Sequence, residues 1–149
     1  MASTRRLAAI MFTDMVGYSA LAQRDESLAL QLLETHRGLV RPILREHVGR
    51  EVKTIGDAFL VEFGSALQAV ECAIAIQRAL TDHNEESGTS QIDLRIGIHL
   101  GDVVDQEGDL LGDTVNITSR IEPLAEASGV CISGPVFDQV RTKIPYTCT

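Results

Sequence analysis

The order of apolar runs along the chain predicts an α/β (α+β) fold, a ferredoxin-like sandwich with a βαββαβ core. Three observations carry that expectation. A short apolar run of strand length opens the chain, a strand-turn-strand pattern at residues 51–63 has helical spacing on both sides of it, and a strand-like alternation occupies residues 92–104. A hairpin held between two crossover helices is the split βαβ arrangement. One domain over residues 1–149 is expected, because that length buries a core without disulfide or metal support.

Leu7 to Phe12 is uninterrupted apolar sequence, read as a buried strand, and "DMVGYS" after it reads as a turn. From Glu26 to about His47, Leu28, Leu32, Leu33, Leu39, Val40, Ile43 and Leu44 recur at helical spacing, with Gly38 and Pro42 expected to kink or interrupt the helix. Residues 51–63, "EVKTIGDAFLVEF", form the hairpin. Ser65 then caps a helix whose apolar face includes Ala69, Val70, Ala73, Ile76 and Leu80. The polar "TDHNEESGTSQ" reads as a turn-rich link to "IDLRIGIHLGDVV", a strand in which Gly97 and Gly101 mark places where bulk is excluded. "DQEGDLLGD" is turn-prone, Thr114 to Ala127 reads as a third helix, "VCISG" as a short strand and "PVFDQVRTKI" as a last short helix. The expected order is β-α-β-β-α-β-α-β-α.

Composition narrows the function. Apolar residues make up 44% and charged residues 23% of the chain, and with no Trp the packing falls on Leu, Ile, Val and Ala. A net charge of −8 without any Lys/Arg run argues against nucleic acid, while a phosphorylated small molecule remains compatible if a few cations or a metal neutralise it. Cys72, Cys131 and Cys148 show no paired spacing, which fits a reduced, cytoplasmic setting. The opening "RRLAAIMFTD" has the flavour of a secretion signal, but its apolar run stops after six residues, too short for that or for a membrane span.

Several side chains could carry chemistry. Asp14 closes the first strand and Asp57 lies at the hairpin turn, so adjacent strands can bring the two carboxylates together at one end of the sheet. Oxygen ligands in that arrangement suit two divalent cations, Mg²⁺ or Mn²⁺, and an in-line phosphoryl displacement. Each has a plain alternative as a turn or capping acid. Lys53 is one of only two lysines and stands four residues before Asp57; it either snorkels to the sheet edge or enters a pocket. In "GDLLGDTVNITSR", Asn116 and Arg120 lie at i and i+4 on one helix face, suited to a ribose oxygen and to phosphate charge; the alternative pairs Arg120 with Glu122 or Glu126. Asp109 precedes that helix and otherwise reads as a turn acid. The acidic loop is not an EF-hand, since "DQEGDLLGDTVN" lacks glycine at its sixth position and glutamate at its twelfth.

Together, "FTDMVGYS", "VKTIGDAFLVEF", "LRIGIHLGDVV" and "GDLLGDTVNITSRIEPLA" resemble the ordered motifs of the class III nucleotidyl cyclase catalytic domain, from about residue 7 to residue 141. The resemblance implies a class III cyclase homology domain of adenylate cyclase type, forming cyclic AMP and pyrophosphate from ATP. It implies Asp14 and Asp57 as metal ligands for two Mg²⁺ or Mn²⁺ ions, and Lys53 with Asp109 as the pair that reads adenine where guanylate cyclases carry Glu and Cys or Ser. It also implies Asn116 as the ribose-positioning residue and Arg120 as the stabiliser of the transition state. Family sites form between two protomers, so a head-to-tail homodimer with two complete sites is expected, with Lys53 and Asp57 of one chain serving different sites. Nothing at "KIPYTCT" matches the family's last strand pair, and regulatory domains are expected outside this chain. Two rivals are a cyclase-like module that only binds nucleotide or dimerises, and a diguanylate cyclase or polymerase-palm relative; the Gly-Gly-acid-acid-Phe hairpin of diguanylate cyclases is absent.

Overall fold

The computed structural model describes residues 4–88 and 91–148. Its first strand, β1 (Thr4–Met15), is twice the length of the apolar run, because antiparallel pairing with a second long strand carries it past the polar residues at each end. A short helix α1 (Tyr18–Arg24) follows where the sequence suggested only a turn. Gly17, in the left-handed region at φ 75°, makes that turn, and no side chain caps α1, so the usual sequence signal for a helix start is missing. Asp25 separates it from α2 (Glu26–Glu46) and caps the latter by accepting a hydrogen bond from the Leu28 amide at 3.1 Å.

Helix α2 runs through Gly38 and Pro42 without interruption, contrary to the expected break. Leu32, His36, Val40 and Leu44 bury one continuous face across the proline. That packing outweighs the roughly 3 kcal/mol an internal proline costs. The hairpin forms as expected from β2 (Arg50–Ile55) and β3 (Ala58–Phe63), with Gly56 at φ 61° in its turn. Helix α3 (Ala66–Ser87) begins at Ser65, whose hydroxyl accepts from the Gln68 amide, but extends well into the polar segment read as a link. Asn84 explains the extension: its side-chain amide donates to the Ile92 carbonyl at 3.0 Å and its oxygen accepts from the Ile92 amide at 2.8 Å, tying the last turn to the next strand. Of that segment, Thr89 and Ser90 lie outside the described residues.

Strand β4 (Leu94–Gln106) pairs with β1 over its length and then turns back into β5 (Asp109–Leu111), which the sequence reading folded into its turn-prone segment. Glu107 and Gly108, both at positive φ, form the two-residue loop of this hairpin. Helix α4 (Asp113–Ile121) stops earlier than expected and tightens into a 3-10 turn (Glu122–Leu124), as Pro123 cannot continue an α-helix. Strand β6 (Val130–Ile132) pairs parallel to β4, and α5 (Gly134–Val140) ends the regular structure.

The sheet order β2-β3-β1-β4-β5, with β6 also on β4, contains the ferredoxin-like order β2-β3-β1-β4. Alternate residues of β1 serve two cores. Ala9, Met11 and Met15 pack with residues of α2, α3 and α5, while Ala8, Ile10 and Phe12 join Leu60, Val103 and Leu110 on the other face, against Val115 of α4. Helix α4 approaches β4 closely at the two expected glycines. A Cβ on Gly97 would lie 2.5 Å from the Glu122 nitrogen and one on Gly101 2.5 Å from the Thr114 hydroxyl. Among the described residues no helix is long and apolar enough to cross a membrane.

Candidate active site

Two groups of polar residues sit on the α4 face of the sheet. At the end of β1, Asp14 is half-buried and stands opposite Arg95 in the β1–β4 register. Asp57, in the hairpin turn, accepts a hydrogen bond from the Met15 amide at 2.7 Å, which ties the turn to the residue after Asp14. One strand over, the Thr13 hydroxyl accepts from the Phe59 amide at 3.3 Å and holds β3 in register with β1. The expected meeting of the two aspartates therefore occurs. Burial first, then a hydrogen bond to Asp57 and the charges of Asp57 and Glu122, push the Asp14 carboxyl up to about 7, with Arg95 opposing the rise. Two carboxylates brought this close form a donor set suited to a hard divalent cation. Among the described residues no three His, Cys, Asp or Glu side chains are grouped to hold an ion by themselves, so any cation here takes its remaining ligands from water or substrate oxygens.

The second group lies where β5 crosses toward β2. Lys53 Nζ reaches Asp109 Oδ1 at 3.1 Å and Oδ2 at 3.2 Å, joining residues 56 positions apart. Asp109 also accepts from the Leu110 amide at 2.8 Å, and Lys53 first, then that amide, hold its carboxyl below the usual carboxylate range. An ionic network centred on the buried Glu62 carries the β4–β5 hairpin to this position. Glu62 accepts from Arg6 Nε at 2.6 Å and from Arg50 Nε at 3.0 Å, Arg6 also bonds Asp105 at 2.9 Å, and Arg50 donates to the Gly108 carbonyl at 3.2 Å. The two arginines keep Glu62 ionised, Arg6 contributing most.

Asn116 and Arg120 lie on exposed positions of α4. Among the described residues neither side chain makes a hydrogen bond or ion pair, so the pairing of Arg120 with Glu122 or Glu126 does not form. The structure thus joins Asp14 to Asp57 and Lys53 to Asp109, and leaves Asn116 and Arg120 facing outward.

Sequence reasoning did not find three residues of this region. Glu122 was considered only as a partner for Arg120, yet it is buried beside the two aspartates, and burial raises its carboxyl pKa. Arg95 donates through Nε to the Ala125 carbonyl at 2.9 Å and pins the 3-10 turn to β4. His36 is wholly buried under the sheet with its ring 5.3 Å from Phe59, and neither ring nitrogen has a hydrogen-bond partner. These roles arise from contacts distant in sequence and carry no periodic or spacing signal.

A ferredoxin-like sheet with an aspartate pair at one strand end and outward-facing Asn and Arg on a helix beside it defines a class of nucleotide-processing domain. Residues 2–148 match the family described as Adenylate and Guanylate cyclase catalytic domain, and the chain belongs to that family. It is 45% identical over 146 residues to "Putative adenylate cyclase 3" of Rhizobium meliloti, covering 95% of this chain and 25% of that protein. The chain therefore spans about a quarter of the length of this relative. The crystal structure of an adenylate/guanylate cyclase/hydrolase from Silicibacter pomeroyi superposes with a TM-score of 0.92 at 36% identity, covering 99% of this chain and 87% of that one. A double mutant of the guanylyl cyclase domain of the RhoGC fusion protein from Blastocladiella emersonii superposes with a TM-score of 0.86 at 25% identity, covering 96% and 88%. The mixed α+β fold expected from the sequence is that of these cyclase domains.

Proposed function

We propose that this domain is an adenylate cyclase, converting ATP to 3′,5′-cyclic AMP and pyrophosphate at sites shared between the protomers of a head-to-tail homodimer. The observation that carries the reading is the Lys53–Asp109 pair, a donor and an acceptor brought together from distant strands within a cyclase-family domain. Adenine presents an acceptor at its ring nitrogens and a donor at its exocyclic amine, the complement of a lysine beside a carboxylate. Guanine presents a carbonyl where adenine has the amine, and Asp109 would repel it.

In the mechanism, Asp14 and Asp57 would hold Mg²⁺ or Mn²⁺ at the end of β1. When bound, the cations supply charge that lowers the pKa of the ribose 3′-hydroxyl and holds the triphosphate. Lys53 and Asp109 orient the base, and Asn116 holds the ribose so that the 3′-oxygen lines up with the α-phosphorus. Arg120 offsets the negative charge that develops as pyrophosphate leaves. The exposed, unpaired state of Asn116 and Arg120 supports a site completed by a second copy, because both project away from the protomer's own polar contacts.

The test is cyclic AMP formation from ATP with Mn²⁺ or Mg²⁺. Metal-dependent product that falls about a hundredfold or more in Asp14→Ala is expected, the scale of losing several kcal/mol of charge stabilisation. Equal turnover in the variant, or no product from the wild-type chain, would remove the proposal.

A further inference from the structure

We propose that Glu62 is a positioning residue for purine choice: from within the sheet it fixes both segments that carry Lys53 and Asp109, and so sets how that pair meets the base. The inference rests on the assignment of the pair to base recognition made above. One arm of the support runs to Lys53. Arg50 stands directly opposite Glu62 in the β2–β3 register and donates to it through Nε at 3.0 Å. The register then shifts between Glu51 and Lys53, leaving Val52 as the extra residue of a β-bulge. Glu51, opposite Val61, binds Arg41 of α2 at 2.9 Å. Regular alternation would send Lys53, two residues on, to that same face of the sheet. The bulge instead places Lys53 opposite Leu60, on the α4 face where it reaches Asp109. Glu62 thus grips β2 immediately ahead of the bulge that aims the lysine.

The other arm runs to Asp109. Glu62 accepts from Arg6 Nε at 2.6 Å and from Nη2 at 2.8 Å, and Arg6 also bonds Asp105 at 2.9 Å. Asp105 in turn accepts from the Gly108 amide at 3.1 Å, while Arg50 donates to the Gly108 carbonyl at 3.2 Å. The residue before Asp109 is therefore held at both backbone groups by a network centred on Glu62. Water can solvate either guanidinium, since both side chains are partly exposed, but the buried carboxylate is what joins them. Without it, Asp105 is the acid left to both arginines, at 2.9 Å from Arg6 and 3.7 Å from Arg50, and the loop follows Asp105. Lys53 and Asp109 then lose the common anchor that keeps them 3.1 Å apart.

The experiment measures equilibrium binding of 3′-deoxy-ATP and 3′-deoxy-GTP with Mg²⁺ by calorimetry, because analogues without the attacking hydroxyl report base recognition without turnover. The quantity read is the Kd for the guanine analogue divided by that for the adenine analogue. Glu62→Gln is expected to lower this ratio about tenfold, inside the range of couplings within one hydrogen-bonded network. Arg50→Gln, which leaves Glu62 paired to Arg6, should lower it in the same direction and carries the test should Glu62→Gln fail to fold. Glu51→Gln breaks an ion pair on the other face and should match wild type. In an Asp109→Ala background Glu62→Gln should lower the ratio no further, because its effect passes through the pair. Weaker binding of both analogues alike, or the same drop in either background, would mark a merely structural role and remove the proposal. If Asp109→Ala leaves the ratio as in wild type, or wild type shows no preference for the adenine analogue, the base-reading assignment falls and takes this inference with it. A lowered ratio in Asp109→Ala beside an unchanged one in Glu62→Gln excludes Glu62 alone.

Discussion

His36 makes the stability of this domain fall in mild acid by an amount that can be worked out. Its ring is wholly buried against Phe59 with both nitrogens unpartnered, and burial lowers its pKa from 6.5 to about 4. Asp57 pulls the other way, while Arg37 and Arg41 add to the depression. Above pH 6.5 the imidazole is neutral in folded and unfolded chains alike and contributes no pH dependence. Below that, the unfolded chain takes up a proton that the folded chain refuses, so stability drops with pH until about 4. At pH 5 the loss is about 2 kcal/mol, from roughly 1.4 kcal/mol for each of one and a half pH units. The perturbation is His36→Leu, which removes the titrating group and keeps an apolar side chain against Phe59. Urea unfolding at pH 7.5 and pH 5 gives four free energies, and their double difference cancels the other titrating groups. The variant is expected to retain about 2 kcal/mol more than wild type on going from pH 7.5 to pH 5. Parallel losses in both proteins would refute the claim that the buried ring resists protonation.

Two further outcomes follow from the shared-site proposal. Asp57→Ala and Arg120→Ala should each be nearly inactive, while an equimolar mixture recovers up to about a quarter of wild-type activity, because half the dimers are mixed and each has one intact site; a dead mixture in which mixed dimers are shown to form would sink the arrangement. Lys53→Glu should lower the ratio of kcat/KM for ATP over GTP by about tenfold or more, as a donor is replaced by a group of opposite charge; an unchanged ratio removes Lys53 from base recognition.

Much of the fold was legible because its strongest signals are local. The apolar run at Leu7–Phe12, the glycine turn of the β2–β3 hairpin and the Ser65 cap each announce their element within a few residues. The failures came where tertiary contacts overrule local preference. Helix α2 crosses Pro42 because its buried face pays no attention to the missing amide, and α3 continues through acidic, polar sequence because Asn84 is tied to Ile92. The 3-10 turn after α4 needed the closeness of Gly97 to be seen as more than a frayed helix end. In the candidate site, Asp14, Asp57, Lys53 and Arg120 are singled out as residue types that can carry chemistry, and the resemblance to the cyclase motifs then implies their roles. Glu122, Arg95 and His36 are not, since an acid after a helix, an arginine on a strand and a histidine on a helix face acquire meaning only from what is packed beside them.

The Lys53–Asp109 pair touches solvent along much of its length, with side chains 42% and 44% exposed, and an ion pair so placed stabilises a fold by about 1 kcal/mol at most. The hairpin that presents it is fastened elsewhere, by Arg6, Arg50 and the buried Glu62. Replacing both members of the pair therefore leaves the scaffold nearly as stable as before. On the proposed reading of this pair as the group that contacts the base, two surface substitutions would alter the choice of purine while leaving the fold in place.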